Sequence, residues 1–211
     1  MDTSPEFGRY ETCRRPATTD PHYGIQIDPN ALTIYRGFSS VLHRREGLLD
    51  ESEMITLDSG EQPFHLAQFL FNALAPYPSV QLVLTTAWVR TLGEKRTAAL
   101  LPEPLREIVV ETTLRFPPRF GEMRDARCEM RDARCEMRDG AGRTGSILRH
   151  VGTSGIRTWL ALGDDLYGVA VEMAPHLLRV SSETGLATPY IPETLQAWLA
   201  ANGTSGNSPG R

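Results

Sequence analysis

Polar residues of two kinds stand where apolar, strand-like runs end, and both kinds suit the binding of a phosphoryl group. Thr85 lies near the end of a mostly apolar run at residues 80–86, and Asp164 with Asp165 follows a run at residues 157–162. A hydroxyl can donate a hydrogen bond to a phosphoryl oxygen, and adjacent carboxylates can hold Mg²⁺ together with phosphate and water. Each has a plainer interpretation, because threonine is common in strands and Gly-Asp-Asp is good turn sequence.

Arg143 is the third candidate, because it precedes a predicted helix at residues 145–151 and could set a fixed positive charge on phosphate. Taken alone, it is indistinguishable from a surface arginine. The glycine-rich run at residues 140–145 lacks the Lys-Ser/Thr ending and the preceding strand of a P-loop. The five histidines show no zinc-binding spacing.

Strand-like and helix-like segments alternate along the chain and predict how these residues are positioned. Strands are predicted at residues 31–38, 80–86, 109–114, 157–162 and 177–181. Helices are predicted at residues 64–74, 89–108, 145–151 and 192–201, and the second is interrupted by Pro102 and Pro104. This alternation predicts an α/β domain with a mostly parallel sheet between layers of helices. In such sheets the ligand site lies at the carboxyl ends of the strands, so Thr85 and Asp164 are expected at one edge.

The composition is that of a globular chain, with 40% hydrophobic and 23% charged residues over 211 positions. A net charge of −4 gives no basic footprint, so a nucleic-acid partner is not expected. No apolar stretch approaches the ~20 residues of a membrane span, and the first residues lack a secretory pattern. Three cysteines are an odd number that suits a reducing compartment, so a cytoplasmic location is expected.

We divide the chain into an irregular arm at residues 1–30, a domain at residues 31–201 and a flexible tail at residues 202–211. Within the domain, Glu-Met-Arg-Asp-Ala-Arg-Cys at residues 122–128 recurs unchanged in the next seven residues, and a third copy begins after them. Unchanged copies indicate an insertion in a loop at residues 122–139. They are too few for a coiled coil or a solenoid.

In this order and context, the segments resemble the haloacid dehalogenase-like (HAD) superfamily, in particular small bacterial HAD-domain proteins. Residues 82–88, Leu-Val-Leu-Thr-Thr-Ala-Trp, are similar to the family's Leu-Val-Leu-Ser-Thr-Ser-Trp. Residues 159–165, Trp-Leu-Ala-Leu-Gly-Asp-Asp, are similar to its Trp-Leu-Ala-Leu-Asp-Asp-Asp. Arg143 fits the basic residue that precedes a helix in the family. The resemblance covers about residues 31–200 and implies a HAD-like Rossmannoid three-layer domain without room for a large cap.

The first family motif is altered. The last three residues of the family pattern Asp-x-Asp-Gly-Val-Leu-His align with Val-Leu-His at residues 41–43 of this chain. This alignment puts Gly37 at the position of the nucleophilic Asp and Ser39 at that of the acid/base Asp. In the family the first Asp attacks phosphorus and binds Mg²⁺, and the second protonates the leaving group. Glycine can do neither, and serine is a poor acid at neutral pH. Gly163 also replaces an Asp, and Asp28 is a weak substitute nucleophile because it lies far from the motif.

The resemblance therefore implies a degenerate site. Thr85 and Arg143 remain as catalytic positions, Asp164 and Asp165 as metal positions, and Mg²⁺ affinity is expected to be weak or lost. Three functions stay open. We favour a pseudoenzyme that binds a phosphorylated small molecule or a protein partner. The others are an active Mg²⁺-dependent phosphatase with an unrecognised carboxylate, and an interaction protein or effector; the oligomeric state is left open.

Overall fold

The computed structural model describes residues 26–44, 47–50, 54–57, 59–116, 142–166 and 171–203. The first 25 residues, the repeat at residues 122–139 and residues 204–211 lie outside this part, as do all three cysteines. The predictions made for these segments therefore stay predictions.

Five parallel strands form the main sheet, in the spatial order β5–β4–β1–β6–β7. They are β1 (Thr33–Arg36), β4 (Gln81–Leu84), β5 (Val109–Thr112), β6 (Trp159–Gly163) and β7 (Leu177–Arg179). The predicted α/β fold is confirmed. β1 is central and pairs with both β4 and β6, so the carboxyl ends of these three strands lie side by side.

Two shorter strands, β2 (Gly47–Leu49) and β3 (Ile55–Leu57), form an antiparallel hairpin that follows β1 in the chain. The sequence analysis missed them because three residues are too few to show a period of two. A Cβ built on Gly47 would lie 3.0 Å from two ring carbons of Trp88. The start of the hairpin therefore packs closely against that ring.

The helices follow the predicted order with different boundaries. They are α1 (Ala67–Leu74), α2 (Trp88–Leu92), α3 (Glu94–Ala99), α4 (Glu103–Arg106), α5 (Gly142–Ser154) and α6 (Ile191–Gly203), with a 3₁₀ helix at Val171–His176. The helical segment predicted at residues 89–108, with interruptions at Pro102 and Pro104, is three short helices: Gly93, with φ 77°, ends α2, Pro102 precedes α4, and Pro104 lies within α4. α5 begins earlier than predicted, so Arg143 lies within its first turn and not before it.

Side chains alternate between the two faces of the sheet, and each face packs on its own helices. Ile34 and Leu82 join the larger apolar cluster, to which α1 and α6 contribute. Tyr35 and Val83 face the other way and pack with Ile147 of α5. The domain is therefore a three-layer α/β structure, as predicted. In the described part of the chain, no helix has the length and apolar character needed to cross a membrane.

Candidate functional site

The guanidinium of Arg143 lies directly over Gly37, the residue that follows the central strand. A Cβ built on Gly37 would lie 2.7 Å from Nη1 and 3.2 Å from Cζ of Arg143. Real Cβ atoms do not approach other heavy atoms as closely as the first of these distances. The guanidinium therefore fills space that any side chain at position 37 would need.

The same guanidinium reaches the end of β6. A Cβ on Gly163 would lie 3.5 Å from Nη1 of Arg143. The parallel register pairs Arg36 with Leu162, so Gly37 and Gly163 follow at neighbouring strand ends. Arg143 thus sets a positive charge between the carboxyl ends of the two central strands.

Asp165 is the ionic partner of Arg143 at this site. Its Oδ1 lies 3.1 Å from Nη1, and the Asp165 side chain is 46% exposed. The distance is that of an ion pair, but the angles are not those of a hydrogen bond, so Nη1 remains a buried donor without a hydrogen-bond partner among the described residues. A ligand that binds this N–H would have to compete with the charge of Asp165.

Two threonine hydroxyls at this edge are buried and, within the described ranges, also have no hydrogen-bond partner. The backbone N–H of Thr85 donates to the carbonyl of Arg36 over 2.9 Å, which fixes Thr85 beside the end of β1. The second hydroxyl belongs to Thr144, next to Arg143 in the first turn of α5. Sequence reasoning missed Thr144, although a hydroxyl residue where helical N–H groups are unpaired is a recognisable anion-binding signal.

The loop after β1 contains a residue in a backbone conformation that favours glycine. Ser40 has φ 60°, in the left-handed region that favours glycine, and it stands where the family pattern has Gly. Ser39, half-buried, pairs through its backbone with His43. The positive φ of Ser40 is compatible with that alignment, and the roles it assigns to Gly37 and Ser39 stay predictions.

Fewer carboxylates stand at this edge than in the family pattern, because Gly37 and Gly163 take the positions at which the resemblance puts Asp. Asp164 follows Gly163 directly and is half-buried, whereas Asp165 is engaged with Arg143. Over the residues that the structure describes, no group of three or more His, Cys, Asp or Glu side chains is placed to hold a metal. Mg²⁺ is usually held by one or two carboxylates together with phosphate and water, and at this edge Asp165 is already paired with Arg143.

Asp28 lies at the opposite edge of the sheet and is not a substitute nucleophile for this site. Its backbone N–H donates to Oε1 of Gln81, the first residue of β4, over 3.1 Å. Its Oδ1 accepts from the backbone N–H of Asn30 over 2.9 Å. Asp28 therefore shapes the turn that leads into β1.

Two basic side chains near the carboxyl end of β1, those of Arg36 and His43, are fully buried. None of the three guanidinium nitrogens of Arg36 and neither ring nitrogen of His43 has a hydrogen-bond partner in the described part of the chain. Burial lowers the pKa of Arg36 to about 9. Burial, followed by the charges of His65 and Arg36, lowers the pKa of His43 to about 4. Sequence analysis singled out neither residue as a candidate for a site.

A buried chain of polar groups joins α5 to the sheet. The hydroxyl of Tyr35 lies 2.7 Å from Nδ1 of His150, and Nε2 of His150 lies 3.0 Å from Oε2 of Glu111. Burial raises the pKa of Tyr35, with the charge of Glu111 adding to it. Burial lowers the pKa of His150, whereas Glu111 opposes that change. His150 lies two turns from Arg143 on α5, so these bonds anchor the helix that carries Arg143.

A five-stranded all-parallel sheet flanked by helices is consistent with the α/β fold of the HAD superfamily. More closely, a family model described as the HAD domain in Swiss Army Knife RNA repair proteins matches residues 38–191, and the chain belongs to this family. The match begins just after Gly37. No curated protein and no solved structure gave a significant match.

Proposed function

We propose that this HAD domain is a pseudoenzyme that binds a phosphoryl group without hydrolysing it and without Mg²⁺. The observation that carries the proposal is the guanidinium of Arg143 in the space above Gly37. Covalent phosphoryl transfer needs a nucleophile at the strand end, and glycine has none. Loss of a nucleophile costs an enzyme several orders of magnitude in rate.

The groups that remain suit the binding of a phosphate. Arg143 supplies a charge-assisted donor, and the hydroxyls of Thr85 and Thr144 supply two neutral donors. The first turn of α5 adds unpaired backbone N–H groups and the positive end of the helix dipole. These donors favour an anion, which would have to compete with Asp165 for the guanidinium of Arg143.

We favour a phosphorylated small molecule as the ligand, because the chain is acidic overall and has no global basic footprint. The family description names RNA repair proteins, so a phosphate at the end of an RNA strand is the alternative to compare with it. Both ligands present the same phosphomonoester to Arg143.

The test of catalysis uses a chromogenic phosphomonoester with purified full-length protein, with and without Mg²⁺. We expect no Mg²⁺-dependent hydrolysis above background. Asp164→Asn should leave that background unchanged. Robust turnover that Asp164→Asn abolishes would show an active phosphatase and defeat the proposal.

The test of binding is calorimetric titration with a non-chromogenic phosphomonoester and, separately, with a short RNA that ends in a phosphate. We expect an affinity that a metal chelator leaves unchanged, and at least a tenfold loss in Arg143→Met. The matched control is Arg106→Met, which removes an arginine that pairs with Glu103 on α4. Equal losses in both variants, or binding that requires Mg²⁺, would contradict the proposed role of Arg143.

A further inference from the structure

We propose that the outer face of α1 and α6 docks a second copy of this chain and forms a reversible two-fold dimer. This face consists of the exposed side chains of the two helices, which contact each other and pack on the same apolar cluster. The proposal does not depend on the proposed function, because it uses the outer surface of the helix layer and not the strand ends.

Two phenylalanine rings stand in solvent on α1. The exposed residues of this helix are Phe69, Phe71 and Asn72, and the two rings are 46% and 36% exposed. A surface helix of a globular protein usually presents charged and polar residues on the side away from the core. Exposed apolar side chains that lie together on one face indicate an interaction surface.

Charged residues are almost absent from this face. None of residues 62–89 is Asp, Glu, Lys or Arg, although such residues make up 23% of the chain. The one charged residue of α6 is Glu193, in its first turn. Farther along α6, the exposed residues are a glutamine and three alanines: Gln196, Ala197, Ala200 and Ala201. Depletion of charge together with exposed aromatic rings is typical of the core of a protein–protein interface.

The segments of the chain outside the described part do not suit this face. Ile27 packs on the apolar cluster of the opposite face, so the arm that precedes it joins the domain on that side. Residues 117–141 lead into α5, which packs on the same opposite cluster. Residues 204–211 follow α6 directly but contain no aromatic residue and no Leu, Ile, Val or Met. These placements favour a partner molecule.

Charge favours a second copy as that partner. A two-fold interface brings the same face together from both molecules, so like charges meet wherever the face is charged. A net charge of −4 makes two copies repel each other in general, and this face is where the repulsion is smallest. If the two α6 helices cross antiparallel near Ala197, the two Glu193 carboxylates lie at opposite ends of the contact. The exposed alanines allow these helices to approach closely.

The size of the face predicts a weak dimer. α6 has 13 residues and is therefore about 20 Å long, and packed helix axes lie about 8–10 Å apart. Two neighbouring helices thus present a face of roughly 400 Å², and two such faces bury roughly 800 Å² in total. This area is small for a stable complex and suits a transient contact. We therefore expect dissociation in the micromolar range.

The experiment is sedimentation velocity of the purified full chain between about 1 μM and about 1 mM. We expect the sedimentation coefficient to rise with concentration from that of a monomer to that of a dimer. Ala197→Glu puts two carboxylates into the interface and should weaken the dimer at least tenfold. Thr153→Glu is the matched control, because it adds the same charge at an exposed position of α5, on the opposite side of the sheet. It should leave the dimer unchanged.

A mixing experiment tests the two-fold arrangement. Ala197→Lys should also be monomeric where the wild type dimerises, because two positive charges then meet. An equimolar mixture of Ala197→Glu and Ala197→Lys should recover the dimer, since opposite charges now face each other. A mixture that stays monomeric would overturn the two-fold arrangement. If either variant fails to fold by circular dichroism, Phe69→Gln decides the question, because removal of the exposed ring should weaken the dimer while Thr153→Glu does not.

Two further results would overturn the proposal. One is a wild-type chain that stays monomeric at every concentration, which would leave the arm at residues 1–25 or a different protein as the cover. The other is a dimer that Ala197→Glu and Thr153→Glu affect equally. Phosphomonoester binding should be the same in Ala197→Glu and the wild type, so loss of the dimer and loss of the proposed function can be told apart.

Discussion

Nη1 of Arg143 lies 2.7 Å from the point that a Cβ on Gly37 would occupy, so these two residues depend on each other. A larger residue at position 37 must displace the guanidinium. Such a displacement is feasible, because the contacting atoms are the far end of a flexible side chain. An uncharged side chain at position 37 would push the guanidinium aside. A negatively charged side chain would form an ion pair with it.

Gly37→Asp should therefore form an ion pair with Arg143 and weaken the binding of a phosphomonoester at least tenfold. The introduced carboxylate competes with the ligand for the guanidinium and repels the phosphate. We expect the free energy of unfolding to change by no more than about 1 kcal/mol, as is typical of partly exposed ion pairs. Calorimetry and urea unfolding measure the two effects.

Gly37→Ala is the matched control, because it displaces the guanidinium without adding a charge, and a smaller loss of affinity is expected. The double change Gly37→Asp with Ser39→Asp returns both acidic residues of the family motif. We expect Mg²⁺ binding, detectable by calorimetry, that the wild type lacks. No difference in Mg²⁺ binding between the double variant and the wild type would argue against the alignment of Gly37 and Ser39.

Tyr35→Phe should lower the free energy of unfolding by about 1–3 kcal/mol, because it leaves a buried nitrogen of His150 without its partner. The fold should remain, since the ring still packs edge-to-face on Trp159. Tyr190→Phe is the control, because Tyr190 is exposed and should tolerate the change. Urea unfolding of both variants checks the prediction, and equal stabilities would show that the hydrogen bond to His150 contributes nothing.

Stability should fall as the pH drops from about 6.5 to about 4, because the unfolded chain binds a proton at His43 over this window and the folded chain does not. The lowered pKa corresponds to about 3 kcal/mol at most. His43→Leu should flatten this dependence in part, since the lowered pKa of His150 acts in the same direction. Urea unfolding of the wild type and of His43→Leu between about pH 7.5 and about pH 4.5 gives the slope of the free energy of unfolding against pH for each protein. Identical slopes would show that His43 does not contribute to the pH dependence.

Ser40→Gly should stabilise the protein by about 1 kcal/mol, because glycine adopts the positive φ of this position without strain. Gly185→Ala should do the opposite. Gly185 has φ 54°, and its Cβ would lie 2.6 Å from Cδ1 of Leu66 and 2.9 Å from the carbonyl oxygen of Val41. We expect a loss of about 1–3 kcal/mol from crowding and strain together. Thermal unfolding of the two variants should shift in opposite directions, and a shift in the same direction would contradict this account.

The sequence predicted the main sheet well because each of its strands is an apolar run that the parallel fold buries. It predicted the region of Thr85 and Asp164 for the same reason, since both follow such runs. It missed the burial of Arg36, because an arginine at a strand end reads as a solvent-facing residue. The contact between Arg143 and Gly37 joins distant parts of the chain, and only the packing of α5 on the sheet reveals it.

The positive charge at the proposed site is the guanidinium of Arg143, which Asp165 holds in place by an ion pair. A metal ion dissociates, so a metal-dependent site is occupied only when both the ion and the ligand are abundant. A guanidinium carried by the chain is always present, at a fixed stoichiometry of one. Occupancy of the proposed site would then follow a single concentration, that of the ligand, which suits a sensor better than a catalyst.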